Sequence, residues 1–339
     1  MAHTQTPSDG TERTDPTGAT IEHDVVVVGG GAAGLSAALV LGRARRRVAV
    51  VDAGEPRNAP AAHMQGFLGS DGLPPAELLA RGRREVAGYG VRLVPGTVTR
   101  ITPVPVGRLD RRRFEVGLAD GSTLLTRRVI VTTGLGDEVP DVPGLRERWG
   151  RDVLHCPYCH GYEVRDQPLG VLAGGPATLQ QTLAHAHLVR QWSDDVVLFT
   201  HGDTLSVEQR EQLVARAIGV VDTPVADLVV EDDRLVGVRL STGQVVARSA
   251  VFVRPRFAAH DALLTDLGCA TRDDGGVAVD ATGATSVVGV WAAGNAVNAR
   301  AQVVTAAGEG SAAAIAVNND LVEEDLPIAV ANFRLGLPV

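Results

Sequence analysis

The sequence predicts an α/β protein built from two Rossmann-like domains, with the second domain inserted into the first. The main observation is a strand, glycine turn and helix pattern that occurs at residues 24–44 and again at 168–192. A third segment, residues 289–320, again reads as a strand, a glycine turn and a long helix of small residues.

These patterns divide the chain into segments. We expect a disordered, polar lead at residues 1–20, because this stretch has few apolar residues. The first domain is predicted at residues 21–135 and 254–339, and the inserted domain at residues 136–253. Residues 136–152 are rich in glycine, proline and charge, which is typical of a linker.

The composition of the chain argues against several classes of function. The 339 residues carry a formal net charge of −8, which argues against a nucleic-acid partner held through phosphates. The chain contains no lysine, which excludes a lysine Schiff base and a P-loop lysine. No apolar run is long enough for a membrane span, and the N-terminus lacks the apolar core of a signal peptide, so a cytoplasmic protein is expected.

The first glycine turn predicts a dinucleotide site. The buried strand at residues 24–28 leads into a G-x-G-x-x-G pattern and an alanine-rich helix, and the next strand ends in an acid. Glycines let the backbone approach a pyrophosphate at the helix N-terminus, and the acid suits a ribose hydroxyl pair. The candidate residues are Gly29, Gly31, Ala32, Ala33, Gly34 and Asp52.

The segment Cys156-Pro157-Tyr158-Cys159 is flanked by His155 and His160 in a chain with three cysteines. Cys-x-x-Cys-His also spells a haem attachment site, but that requires export and usually a second axial ligand. Structural zinc takes four ligands, and Cys269 is the one further thiolate in the chain, so no metal site is expected.

A redox disulfide fits this segment better. Cysteines at this spacing can close a disulfide and reopen it by thiol exchange. A flanking protonated histidine or a helix N-terminus would lower a thiol pKa, and His160 is a suitable proton donor and acceptor near neutral pH. His155 is the second candidate, for which packing and catalysis are equally open, whereas Cys269 is expected in the core.

Several motifs in order resemble the low-molecular-weight thioredoxin reductase family. They are the glycine turn at 29–34, "TTG" at 132–134, the Cys-x-x-Cys pair, "GVWAAGN" at 289–295 and "AQVVTAAGEG" at 301–310. The resemblance implies non-covalently bound FAD, a homodimer and a disulfide that faces the flavin, with Cys159 nearest the flavin and Cys156 attacking substrate. It also implies cofactor contacts from Asn58, Thr133, Gly134, Gly294, Asn295, Gln302 and Val303.

Two departures from that family suggest the direction of the reaction. Thioredoxin reductases usually carry aspartate after the second cysteine, and His160 resembles instead the branch that contains flavin-dependent dithiol oxidases, as do residues 55–72. The second glycine turn has Ala173 and Thr178 at positions where glycine and a small residue are expected. The next strand is followed by His201 and Asp203 rather than by arginines, which argues against tight NADPH binding.

The sequence therefore predicts an enzyme that oxidises a small-molecule dithiol through Cys156 and Cys159, with FAD and O₂ as acceptors. The alternative is a disulfide reductase that uses NADPH or another donor and acts on a thioredoxin-like protein. A third reading, from a different class, is a redox sensor or binding protein without turnover.

Overall fold

The computed structural model describes residues 23–104, 113–173 and 178–337. The predicted lead and residues 174–177 of the second glycine turn lie outside the described residues. The chain forms two compact units, the first comprising 1–54, 81–134 and 261–339 and the second comprising 55–80 and 135–260.

The elements follow in chain order. The first stretch contains β1 (His23–Val28), α1 (Ala32–Arg43), β2 (Val48–Asp52), α2 (Pro75–Ala87), β3 (Arg92–Pro95), β4 (Val98–Val104), β5 (Arg113–Leu118) and β6 (Thr123–Val131). The middle stretch contains β7 (Leu135–Glu138), β8 (Val153–Leu154), α3 (Pro157–His160), β9 (Leu169–Leu172), α4 (Leu179–Val189), β10 (Val196–Phe199), α5 (Val207–Ala215), β11 (Ile218–Val221), β12 (Val225–Glu231), β13 (Arg234–Leu240), β14 (Val245–Ala247), β15 (Ala250–Val253) and β16 (Arg256–Ala259). The last stretch contains α6 (Ala262–Asp266), β17 (Val290–Ala292) and α7 (Val303–Arg334).

The first unit is built on a seven-stranded sheet. Its strands run in the order β3-β2-β1-β6-β5-β4, and β17 also pairs with β6. Pairs β1–β2, β1–β6 and β17–β6 are parallel, whereas β4 and β5 form an antiparallel hairpin beside β6. Every residue of β1 is buried, as expected for a valine-rich central strand. The parallel strands bring the carboxyl ends of β1, β2, β6 and β17 to one edge.

Helices α1 and α7 pack closely in this unit. A Cβ atom placed on Gly310 of α7 would lie 2.0 Å from the carbonyl oxygen of Ala33 in α1, so glycine is required at this crossing. Helix α7 continues through Pro327 to Arg334, beyond the predicted end at residue 320. Ion pairs anchor its second half, since Arg128 binds Asp320 and Glu324.

The second unit contains a parallel five-stranded sheet in the order β11-β10-β9-β15-β8. A three-stranded antiparallel sheet, β12-β13-β14, and the antiparallel pair β7–β16 complete it. The stretch predicted as a linker at 136–152 therefore includes most of β7. The α/β class with two Rossmann-type domains is confirmed, and within the described ranges no helix is long and apolar enough to span a membrane.

Residues 55–80 group with the second unit, whereas the sequence interpretation placed them in the first domain. Their own contacts account for this grouping: Arg57 pairs with Asp137, and Gln65 donates to Glu163. The domain boundaries inferred from the sequence stay a prediction.

Candidate functional site

The first glycine turn connects β1 to α1 with the backbone geometry that the motif predicts. Gly29 has φ +103°, and a Cβ atom there would lie 2.5 Å from the carbonyl oxygen of Thr132. A Cβ atom on Gly34 would lie 1.9 Å from the carbonyl oxygen of Gly29. By contrast, a Cβ atom on Gly31 would meet no described atom within 4 Å. Two glycines are thus required by packing, whereas Gly31 keeps open space beside the turn.

The N-terminus of α1 is open for an anion. Gly31 is its N-cap residue, and among the described residues no side chain caps this end or places an acid in its first turn. The first backbone N–H groups of a helix have no partner within the helix, and the helix dipole favours negative charge at this end. The arrangement of Gly31, Ala32 and Ala33 therefore fits a pyrophosphate.

Two side chains from neighbouring strands hold this turn. The backbone N–H of Gly30 donates to Oδ1 of Asp52, 3.0 Å away. The hydroxyl of Thr132 donates to the carbonyl oxygens of Val28 and Gly29, at 2.9 Å each. Thr132 was missed by sequence reasoning, which singled out its neighbours Thr133 and Gly134; Gly134 has φ +74°.

The turn after β17 lies against α1. A Cβ atom on Gly294 would lie 3.0 Å from that of Ala33. Glu309 of α7 accepts from the Gly294 N–H at 2.9 Å and from the side-chain amide of Asn298 at 2.6 Å. The Asn295 amide nitrogen donates to the carbonyls of Asn298 and Ala301, so its position is fixed by its own turn.

Helix α7 begins directly after this turn. Gln302 is its N-cap residue and Val303 its first residue, and no side chain of the described residues caps this end. The structure thus assembles the predicted cofactor residues of the first unit around α1 and the sheet edge. Asn58 belongs to the second compact unit, so its contact with a cofactor stays a prediction.

The two cysteines form a disulfide at the start of α3. Cys156 follows the edge strand β8 and joins Cys159 with the Cα atoms 5.2 Å apart. The backbone N–H of Cys159 lies 3.2 Å from Sγ of Cys156, and the His160 N–H donates to the Cys156 carbonyl at 3.1 Å. The third cysteine, Cys269, is buried and free, as expected for a core residue.

His160 follows the disulfide with a mostly buried ring. Neither ring nitrogen has a hydrogen-bond partner among the described residues. Burial lowers the pKa of His160 below 6.5, and the nearby Glu163 carboxylate partly opposes that shift. His160 is therefore neutral at pH 7 and has a free lone pair, as a proton acceptor requires.

His155 lies in a different environment on the other side of Cys156 in the sequence. Its ring stacks on Trp149 with centroids 5.6 Å apart and meets the Phe257 ring edge-on at 5.9 Å. Burial, with a further contribution from Arg57, lowers its pKa to about 4. His155 is thus uncharged near neutral pH.

Arg57 lies beside one ring nitrogen of His155, with its Nη2 atom 3.5 Å from Nε2. A guanidinium only donates, so a hydrogen bond between these atoms requires the tautomer that carries its proton on Nδ1. Arg57 itself is held by two hydrogen bonds to Asp137, at 2.9 and 2.7 Å. Neither flanking histidine supplies the positive charge that the sequence analysis considered for lowering a thiol pKa.

An exposed aromatic side chain lies between the two cysteines and packs on a second aromatic ring, which the sequence analysis did not anticipate. Tyr158, between the two cysteines, is 66% exposed and meets the Trp192 ring edge-on, with centroids 5.7 Å apart. A Cβ atom on Gly161 would lie 2.8 Å from the indole of Trp192, so glycine permits this close packing. The reactive turn thus offers aromatic surface to a substrate.

The helix after the second glycine turn begins differently from α1. Thr178 caps α4: its hydroxyl accepts from the Gln181 N–H at 3.3 Å, and Oε1 of Gln181 accepts from the Thr178 N–H at 3.1 Å. After β10, Nδ1 of His201 accepts from the Val225 N–H at 3.0 Å. These side chains accept hydrogen bonds from backbone N–H groups of their own unit, so the same groups are not available to bind a nucleotide phosphate.

Comparisons with known proteins agree with this geometry. Residues 23–310 match the pyridine nucleotide-disulphide oxidoreductase family. A thioredoxin reductase, sirT, of Leptosphaeria maculans is 31% identical over 314 residues, which are 89% of this chain and 95% of that protein. A relative from Arthroderma benhamiae is 34% identical over 57% of this chain and 47% of its own length.

One solved structure has a higher sequence identity to this chain than these two relatives. The crystal structure of HlmI has 56% sequence identity and a TM-score of 0.88, and the match covers 96% of this chain and 99% of that one. The chain belongs to the pyridine nucleotide-disulphide oxidoreductase family, and within it to the thioredoxin reductase-like FAD oxidoreductases. The resemblance noted in the sequence is confirmed. FAD, the cofactor of this class, fits the open α1 terminus and the free space beside Gly31.

Proposed function

We propose that this protein oxidises a small-molecule dithiol to a disulfide through Cys156 and Cys159, with O₂ as the terminal acceptor. The observation that carries the proposal is the Cys156–Cys159 disulfide beside His160, whose buried ring is neutral and unbonded among the described residues. A disulfide accepts electrons from thiols, and a neutral imidazole accepts the proton that a thiol must lose before it attacks.

The exchange begins at Cys156. A substrate thiol transfers its proton to His160, and the resulting thiolate attacks Sγ of Cys156. The bond between the two cysteines breaks, and Cys159 leaves as a thiolate. The second substrate thiolate then attacks the substrate sulfur bound to Cys156, so that Cys156 leaves and the product disulfide is released.

Cys156 and Cys159 are then both reduced, and the substrate has released two protons. Bound FAD would supply the two-electron chemistry that carries the electron pair to O₂, and O₂ with the pair and two protons gives H₂O₂. Cys159 is assigned as the donor of the pair by analogy with the family. His160 returns to the neutral form when its proton is released, so it can serve each turnover.

The capped start of α4 supports this direction of electron flow. Thr178 and Gln181 satisfy each other's backbone N–H groups, and His201 is bonded to the Val225 N–H. A nucleotide phosphate needs free helix-terminal N–H groups and cationic side chains, whereas Thr178, Gln181 and His201 are each bonded to the unit's own backbone. This favours thiols over NADPH as the source of electrons.

Oxygen uptake with a dithiol tests the proposal. Purified holoprotein is mixed with dithiothreitol in air without NADPH, and O₂, H₂O₂ and free thiols are measured together. The proposal predicts one H₂O₂ formed for each dithiol oxidised. Thiol loss without O₂ uptake, or no turnover with dithiothreitol and other dithiols, would contradict it.

The second candidate is an NADPH-dependent reductase of a thioredoxin-like protein, which the name of the relative sirT favours. In that case NADPH would reduce the flavin, and electrons would leave through Cys156. A reduced thioredoxin formed at the expense of NADPH would establish it.

We also infer a homodimer. Apolar side chains on α7, at the spacing of one helix face, are more than half exposed: Ile315, Val322, Leu326 and Phe333. An exposed apolar stripe of this kind is typical of a contact surface, and a second copy would bury it. Sedimentation velocity of the holoprotein measures this directly, and a monomer at micromolar concentration would contradict the inference.

A further inference from the structure

The acidic residue at the end of β2 has a cationic partner on α2. Oδ2 of Asp52 accepts a hydrogen bond from Nη2 of Arg83 at 3.0 Å, and Oδ1 accepts from the Gly30 N–H at 3.0 Å. We propose that Arg83 is a positioning residue for the adenosine half of FAD, because it orients Asp52 and offsets its charge. The inference rests on the FAD assignment and is independent of the electron source.

The two anchors leave Asp52 able to bind sugar hydroxyls. A carboxylate offers about four lone-pair positions, and the Gly30 N–H and Arg83 occupy one on each oxygen. The remaining positions suit the two hydroxyls of a ribose. Since both oxygens are anchored, the carboxylate plane is fixed before the ligand arrives, which lowers the entropy cost of binding.

The packing of α2 on α1 places Arg83. A Cβ atom on Gly82 would lie 3.0 Å from Cδ1 of Leu35, a buried residue of α1. The missing side chain at Gly82 therefore lets α2 approach α1 closely. Arg83, the next residue, then reaches the end of β2.

Charge gives Arg83 a second role. Asp52 and an FAD pyrophosphate are both negative, and the Gly30 N–H ties Asp52 to the same turn that fits the pyrophosphate. In the described residues, the first turn of α1 contains neither arginine nor lysine. The guanidinium of Arg83 reduces the repulsion between these negative groups. Its side chain is 39% exposed, so solvent screening limits the size of the effect.

FAD release from the holoprotein tests the proposal without any substrate. Holoprotein is diluted stepwise, released FAD is followed by its fluorescence, and the melting temperature at saturating FAD reports folding. We expect Arg83→Gln to raise the FAD Kd roughly five- to tenfold, somewhat less than one full charge-assisted hydrogen bond because Arg83 is partly exposed to solvent. Arg84→Gln, a change at the exposed neighbour on the same helix, should leave the Kd within about twofold.

A double variant separates positioning from general destabilisation. If Arg83 acts through Asp52, Arg83→Gln in the Asp52→Asn background should weaken FAD binding no further. A wild-type Kd for Arg83→Gln would overturn the proposal, as would fully additive effects in the double variant. Failure of dithiol turnover would not bear on this result, because no dithiol is present.

Discussion

Helices α1 and α4 each follow a strand of a parallel sheet, β1 in one unit and β9 in the other, but the two helices begin differently. At α1 the N-cap is Gly31, which leaves open space and no side-chain cap among the described residues. At α4 the N-cap is Thr178, which forms a capping box with Gln181. Among the described residues, no side chain caps the start of α1, so its first N–H groups are left for a ligand. At the start of α4, side chains accept from the backbone N–H groups of Thr178 and Gln181.

The two units also differ at the end of the strand that follows each of these helices. After α1, the carboxylate of Asp52 at the end of β2 is oriented by Gly30 and Arg83. After α4, His201 binds the backbone of Val225 instead. Two Rossmann-type units of one chain can therefore share an architecture and still differ in the side chains at the helix start and at the end of the next strand. If no nucleotide bound to the second unit supplies electrons, the electrons reach the protein when a substrate dithiol reduces the Cys156–Cys159 disulfide.

The largest expected effect follows from that role of the disulfide. Cys156→Ser removes the sulfur that the substrate attacks, so dithiol oxidation should fall by roughly a thousandfold or more. FAD content should be unchanged, because α1 lies in the other unit. The measurement is O₂ uptake with dithiothreitol, and Cys269→Ala, a change at the buried free cysteine, is the control. Substantial activity in Cys156→Ser would show that electrons enter elsewhere.

The pH dependence of His160 gives the next largest effect. Because burial lowers its pKa below 6.5, the neutral base persists as the pH falls through 6.5, and kcat/KM should fall only at a lower pH. In His160→Gln the rate should be lower by about a hundredfold and should rise about tenfold per pH unit with the substrate thiolate. A wild-type acid limb at or above pH 6.5, or an unchanged profile in the variant, would contradict the assigned role.

Two glycine substitutions sharpen the contrast at α1. Gly31→Val adds atoms where the structure leaves space, so the fold should persist while FAD binding weakens by about tenfold or more. Gly34→Ala forces a clash with the Gly29 carbonyl and should instead lower the free energy of unfolding by roughly 1–3 kcal/mol. FAD content and urea unfolding distinguish them. Equal loss of stability in both would show that the space at Gly31 serves packing alone.

The smallest effect concerns the cap of α4. Thr178→Ala should cost about 1 kcal/mol of unfolding free energy, because it removes an N-cap. Ser206→Ala is a matched control, since Ser206 and Gln209 form the same capping box on α5. Urea unfolding of both variants is the measurement, and an unchanged stability in Thr178→Ala alone would mean that this cap contributes nothing.

Local patterns were predictable from the sequence, and pairs distant in the chain were not. The valine run of β1, the Gly29 turn and the Cys156–Cys159 segment each carry their signal within a few residues. The cap of α4 was also readable, since Thr178 precedes Gln181 by three residues, the spacing of a capping box. The pairs Arg83–Asp52 and Arg57–Asp137 join separate segments, so their partners become identifiable only once the fold is known.

Regular elements between the motifs were harder to predict. The β4–β5 hairpin and α2 lie where the sequence analysis predicted no element, because their surfaces mix charged and apolar residues. Helix α7 continues through Pro327, where proline normally ends a helix; tertiary ion pairs such as Arg127–Asp325 hold this stretch. In α7, tertiary contacts thus overrode the local signal of the proline.

We propose that electrons enter this protein through the Cys156–Cys159 disulfide and not from a nucleotide. Anaerobic holoprotein is titrated first with NADPH and then with dithiothreitol, while the visible absorbance of the oxidised flavin is recorded. We expect NADPH to leave the absorbance unchanged, one equivalent of dithiol to bleach it, and air to restore it with release of H₂O₂. Rapid bleaching by NADPH would contradict electron entry through the disulfide and establish a reductase.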